Sequence, residues 1–154
     1  MACNLLTSGL DNSCVNGNSG SFEEIYIQAY PTGNTFQTSE ASEGIIDGIT
    51  GASYYTIVPN DNASNEFSSV NAGNPRAGNE AYTQTVSFFL AKAQASTRNL
   101  IKVLAQSKLT IIIKDNNGKY WLMGEDRGMY MITDSGFNSG TELTAASGYQ
   151  LSFE

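Results

Sequence analysis

KLTIIIKDNNGKYWLMGEDRG, residues 108–128, is the stretch on which the fold turns. Leu109 to Ile113 is rich in β-branched apolar side chains, and Tyr120 to Met123 is a second apolar run, so each reads as a strand. Asp115-Asn116-Asn117-Gly118 lies between them and fits a type I turn, with Gly118 at the left-handed position that completes the longer hairpin loops. Asp115 can accept backbone N–H groups locally, and Asn tolerates unusual backbone angles. A calcium loop would need oxygen ligands at alternating positions and a closing glutamate at about the twelfth. The twelfth position from Asp115 is Asp126, and Tyr120, Trp121, Leu122 and Met123 intervene as strand residues. The stretch is a hairpin.

GEDRG, residues 124–128, reads as the next turn, with Glu125, Asp126 and Arg127 exposed. Glu125 and Asp126 are adjacent, whereas glycoside hydrolysis needs two carboxyls on opposing sides of one cleft. Trp121 has two readings, a sugar-stacking platform or a core or interface residue.

Working outward, EEIYIQAYP (23–31) sets Ile25, Ile27 and Ala29 against Tyr26, Gln28 and Tyr30 and predicts a strand ended by Pro31. TGNTFQTSEASEG (32–44) is polar, and GIIDGITG (44–51) is a short apolar stretch around an Asp47-Gly48 turn. ASYYTIVP (52–59) predicts another strand. Residues 60–81 form a long polar loop of about 22 residues, with a strand expected within it around Glu66 to Val70. AYTQTVSFFLA (81–91) puts Tyr82, Gln84, Val86, Phe88 and Leu90 on one face of a strand.

KAQASTRNLIKVLAQS (92–107) carries the one convincing helix, with Thr97, Leu100, Ile101 and Leu104 at helical spacing and Ser96 as N-cap. Lys92, Arg98, Lys102 and Lys108 are expected on its exposed side. GMYMITD (128–134) predicts a strand, SGFNSGTEL (135–143) a loop, and GYQLSFE (148–154) a strand with Tyr149, Leu151 and Phe153 on one side. The expected architecture is mainly β: a small β-barrel or β-sandwich with one short α-helix, about residues 95–106, packed on it. One domain spans 1–154, with an N-terminal arm at about 1–20.

Charge is unevenly spread. The first 75 residues contain no lysine or arginine but eight acids, among them Glu23, Glu24 and Glu66, while residues 76–154 hold all eight basic residues and seven acids. The halves therefore stand at −8 and +1, which sum to the chain's −7. Such a chain suits contact between an acidic face of one copy and a less acidic face of another. Stable binding to duplex DNA needs clustered positive charge and is not expected.

With no histidine, no Ser-His-Asp or Cys-His pair can form, and Cys3 and Cys14 read as reduced thiols. No phosphate-binding glycine loop or metal-ligand cluster stands out, so neither cofactor nor metal is expected. No apolar run approaches the ~20 residues of a membrane helix. MACNLLTSGLDNSC lacks the basic and apolar regions of a secretion signal, which predicts synthesis and assembly in the cytoplasm.

NLLTSGL (4–10), YTQTV (82–86), DNNGKYWLMG (115–124), Ser139 to Thr141 and GYQLSFE (148–154), in that order and spacing, resemble virion structural proteins of tailed phages of the Bacteroidetes, crAss-like phages among them. The order of strands, one helix and a β-meander is also similar to phage tail-tube proteins, whose sandwich or barrel subunits assemble into stacked rings, usually hexameric. The resemblance implies a non-enzymatic virion protein that contacts copies of itself and other tail or head–tail proteins, and lets DNA pass without specific binding. Arg98 and Lys102 on the helix, Glu66 and Val70 on a candidate edge strand, and Glu23 and Glu24 in the acidic half are the expected subunit contacts. Alternatives are a head–tail ring, a capsid decoration protein or a head fibre. From another class, a carbohydrate-binding β-sandwich would use Trp121 and the tyrosines.

Overall fold

The structure, a computed structural model, describes residues 20–30, 35–38, 46–50, 53–60, 65–91, 94–133, 135–142 and 144–154, with the backbone alone at 35–38 and 46–50. The N-terminal arm with Cys3 and Cys14, and Lys92, lie outside the described residues.

The hairpin at 108–124 forms as its sequence requires. Strands β7 (Leu109–Asp115) and β8 (Tyr120–Met123) pair antiparallel with Ile113 opposite Trp121 and Ile111 opposite Met123. β7 also pairs with β1 (Phe22–Ala29), setting Ile113 against Ile25 and Ile111 against Ile27. Thr110 and Ile112, which alternate onto the opposite face of β7 from the core-facing isoleucines, are buried as well. β4 (Tyr55–Ile57) completes this sheet in the order β4-β1-β7-β8.

A second antiparallel sheet runs β5-β6-β10-β9, from β5 (Glu66–Asn71), β6 (Tyr82–Leu90), β10 (Gly148–Phe153) and β9 (Gly136–Asn138). β2 (Thr35–Thr38) and β3 (Ile46–Thr50) form a separate two-stranded ribbon. The two larger sheets pack over one core. Phe22, Ile25, Ile27, Ile111 and Ile113 from the first meet Val86, Phe88, Leu151 and Phe153 from the second. Each such side chain contributes about 1.5–3 kcal/mol on burial. The arrangement is a β-sandwich, and among the described residues the sheets do not close into a barrel.

Residues 129–132 stitch the sheets together at one place. Met129 exchanges backbone hydrogen bonds with Leu109 of β7 at 2.7 and 2.9 Å, and Tyr130 does the same with Glu154 beyond β10 at 2.8 and 2.9 Å. Helix α1 (Ala95–Gln106) connects β6 to β7, and therefore one sheet to the other, lodging Leu104 in the shared core.

Several expectations are corrected. GMYMITD forms only bridges at Met129 and Met131, because its residues are divided between two sheets. Asp47 and Gly48 lie inside β3, where a register shift against β2 absorbs the irregularity, so they form no turn. The polar TGNTFQTSEASEG supplies β2, and the glycine-spaced SGFNSGTEL supplies β9. Within the polar stretch 60–81 the strand expected around Glu66 to Val70 is present as β5, and a 3-10 turn follows at Pro75–Ala77. The N-cap of α1 is Gln94 rather than Ser96, and its side chain makes no capping bond. Leu100 remains 43% exposed and only Leu104 is fully buried, so the apolar stripe of the helix is narrower than its spacing suggests.

Candidate functional site

The Asp115 turn settles the first chemical question. The Asp115 carboxylate accepts the backbone N–H of Asn117 and of Lys119, each at 2.8 Å on Oδ1, and the Trp121 indole N–H at 3.1 Å on Oδ2. Gly118 closes the turn in the left-handed region at φ 76°, where a side chain would strain the backbone. Burial would raise the Asp115 pKa, but hydrogen bonds from Lys119, Trp121 and Asn117 outweigh it and hold the carboxyl below its ordinary range. Both oxygens are committed to the turn. Among the described residues no group of three or more His, Cys, Asp or Glu side chains could hold a metal ion.

The expected contact residues fall at three separate places. Glu66 and Val70 lie on β5, the outer strand of its sheet, with Val70 59% exposed. Phe67 pairs with the buried Val86 and faces the core, so Glu66, Ser68 and Val70 alternate onto the outer face. Arg98 and Lys102, one turn apart on α1, are both exposed, and among the described residues neither makes an ion pair. Glu23 and Glu24 are locally engaged. Glu23 pairs with Lys114 at 2.9 Å, and Glu24 accepts the Tyr26 hydroxyl. That bond, then burial and the nearby Glu24 charge, push the Tyr26 pKa up to about 12. Lys108, expected on the helix surface, instead follows the helix and sits half-buried with its Nζ 4.5 Å from the Tyr30 ring centre and 5.6 Å from that of Tyr130.

Sequence reasoning missed a groove of about 760 Å³ between the β5–β6 hairpin and the 124–128 loop. Its floor includes Gln84, whose side-chain oxygen accepts the Gly124 N–H at 2.9 Å and ties the loop to the other sheet. Tyr82 and Leu122 supply apolar surface, Tyr82 being 63% exposed. Glu80, Glu125, Asp126 and Glu154 line it with Arg127 as the one lining cation, so the lining charge is −4 + 1 = −3. All four carboxylates are exposed. Glu125 and Asp126 share the 124–128 turn, Glu80 precedes β6 and Glu154 follows β10, and only the pairing of strands far apart in sequence brings these three places together. No local signal could have found the groove.

Trp121 is intermediate between its two expected roles. It packs on Phe67 at 5.6 Å between ring centres, and Phe67 on Phe22 at 6.2 Å, yet the indole stays 45% exposed. Among the described residues no helix is long and apolar enough to cross a membrane. Compared with known proteins, the chain matches no family model, no curated protein and no solved structure.

Proposed function

We propose that this chain is a non-enzymatic structural subunit that associates with copies of itself into stacked rings, as a phage tail-tube protein forming a conduit for DNA. The observation that carries the reading is the outer strand β5, six residues long, hydrogen-bonded among the described residues to β6 alone and presenting the exposed Val70. An open strand of that length offers unpaired backbone groups to another chain unless it is charged, bulged or covered. β5 pairs with β6 in continuous register, without a bulge, and carries one charge, Glu66. Among the described residues β4 is likewise bonded only to β1, with Tyr55 76% and the following Val58 64% exposed. The resemblance of the Asp115 hairpin, the closing strand and their order to virion proteins supports the same reading. Net negative charge suits a conduit, since an acidic wall repels passing phosphate.

The test is Val70→Lys, which places a charge on the open strand while leaving the core untouched. Sedimentation velocity of the variant is expected to give a folded species smaller than the wild-type assembly. Wild-type association unchanged in the variant would count against β5 as a contact.

A carbohydrate-binding module is the second reading, and one observation favours it. The half-exposed Trp121 ring is held in a fixed plane by Asp115 and Phe67, as a sugar-stacking platform would be. Saturable glycan binding by the monomer, lost in Trp121→Ala, would support it.

A further inference from the structure

We infer that helix α1 of one copy docks into the groove beside Tyr82 of the next, making a head-to-tail contact. The inference rests on the self-association reading and names the two surfaces that carry it. The groove is acidic, at a lining charge of −3, with Tyr82 and Leu122 as apolar surface within it. The helix ASTRNLIKVLAQ has no acidic residue and carries two cations, Arg98 and Lys102. On the other flank of the exposed side from these cations, Leu100 and Val103 are 43% and 61% exposed, while Leu104 is buried on the inner side. A helix seated in a groove reads as apolar anchors at i and i+3 flanked by charge, which is the spacing of Leu100 and Val103.

The two surfaces are made of different residues with opposite charge: the groove of Tyr82, Leu122 and the carboxylates of Glu80, Glu125, Asp126 and Glu154, the docking face of Arg98, Leu100, Lys102 and Val103 on α1. The helix begins beyond the far end of β6, at Ala95, and its last turn leads to Lys108 beside Gly128 of the groove. Among the described residues, no ion pair joins the helix cations to the groove carboxylates within one chain. A contact between two different patches of identical copies is heterologous and propagates into a ring or an open stack. Oppositely charged partners also exclude the wrong pairings, since groove against groove and helix against helix both repel.

The experiment uses the full chain in four samples: wild type, Arg98→Glu with Lys102→Glu, Glu80→Lys with Glu125→Lys, and an equimolar mixture of the two variants. Association is measured by light scattering over a concentration series, with near-ultraviolet circular dichroism to show that each variant is folded. Each variant alone is expected to associate roughly tenfold more weakly or worse, and the mixture to recover association because reversed helix meets reversed groove. A wild type that associates while both variants match it would overturn the docking and leave self-association standing. Variants that both fail but do not recover on mixing would overturn the pairing of these two surfaces. A wild type that stays monomeric throughout would overturn the self-association reading, and the docking with it.

Discussion

The Trp121 indole donates to Asp115 across the β7–β8 hairpin at 3.1 Å, so the turn that joins the strands also orients the most exposed part of the core's aromatic chain. Asp115 is 6% exposed and its carboxylate serves three N–H donors. Asp115→Ala strands these donors and is expected to cost about 1–3 kcal/mol, measured by chemical denaturation. Trp121→Phe keeps the contact with Phe67 but loses one hydrogen bond, and is expected to cost less, about 0.5–1.5 kcal/mol.

The same carboxylate makes stability depend on acid. Its folded pKa lies below the ordinary value of 3.8, so the folded state binds the proton less readily than the unfolded chain does. The stabilisation is therefore complete above that ordinary value and lost as pH falls through the lower folded pKa. Denaturation midpoints between pH 6 and pH 2 are expected to fall less steeply in Asp115→Asn than in wild type. Parallel curves would contradict the assignment.

Tyr26 gives a complementary signal at high pH. Its hydroxyl donates to Glu24, and ionising it would lose that bond and set two negative charges together. Its pKa is raised to about 12, so its contribution to stability is present below pH 10 and fades as pH rises towards 12. Spectrophotometric titration is expected to show late-ionising tyrosine absorbance, Tyr54 also being raised by burial, and Glu24→Gln to bring the Tyr26 part of it earlier.

Gly148 opens β10 at a point with no room for a side chain. A Cβ there would lie 2.2 Å from the Leu90 carbonyl oxygen and 2.7 Å from the Phe89 ring. Gly148→Ala must push β10 away from β6, or the Phe89 ring out of its site, and is expected to destabilise by about 1–3 kcal/mol. The control is Gly136→Ala, where nothing lies within 4 Å of the added carbon, and which leaves the midpoint nearly unchanged.

Much of the sandwich was legible because its main strands carry their instructions locally. β1, β6 and β10 alternate over most of their length, and β7 is an isoleucine-rich run flanked by turn residues, so strand type follows directly. β9 was hidden for the opposite reason, and GMYMITD reads as a full strand where Met129 and Met131 make bridges to two different sheets. Three residues, or single paired ones, hold too little pattern, and their pairing is imposed by β10 and β7. Asp47-Gly48 is turn chemistry placed within a paired strand, where partner and register override the local preference. Arg98, Lys102, Glu66 and Val70 were legible as exposed positions, but the groove was not, since Glu80, Asp126 and Glu154 meet only through tertiary folding.

The most direct test of the central claim is negative-stain electron microscopy of the purified full-length chain, with light scattering at the same concentrations. The account predicts that mass rises with concentration and that rings or open tubes of one repeating subunit appear. A monodisperse monomer at every concentration, with no ring or tube on the grid, would contradict it.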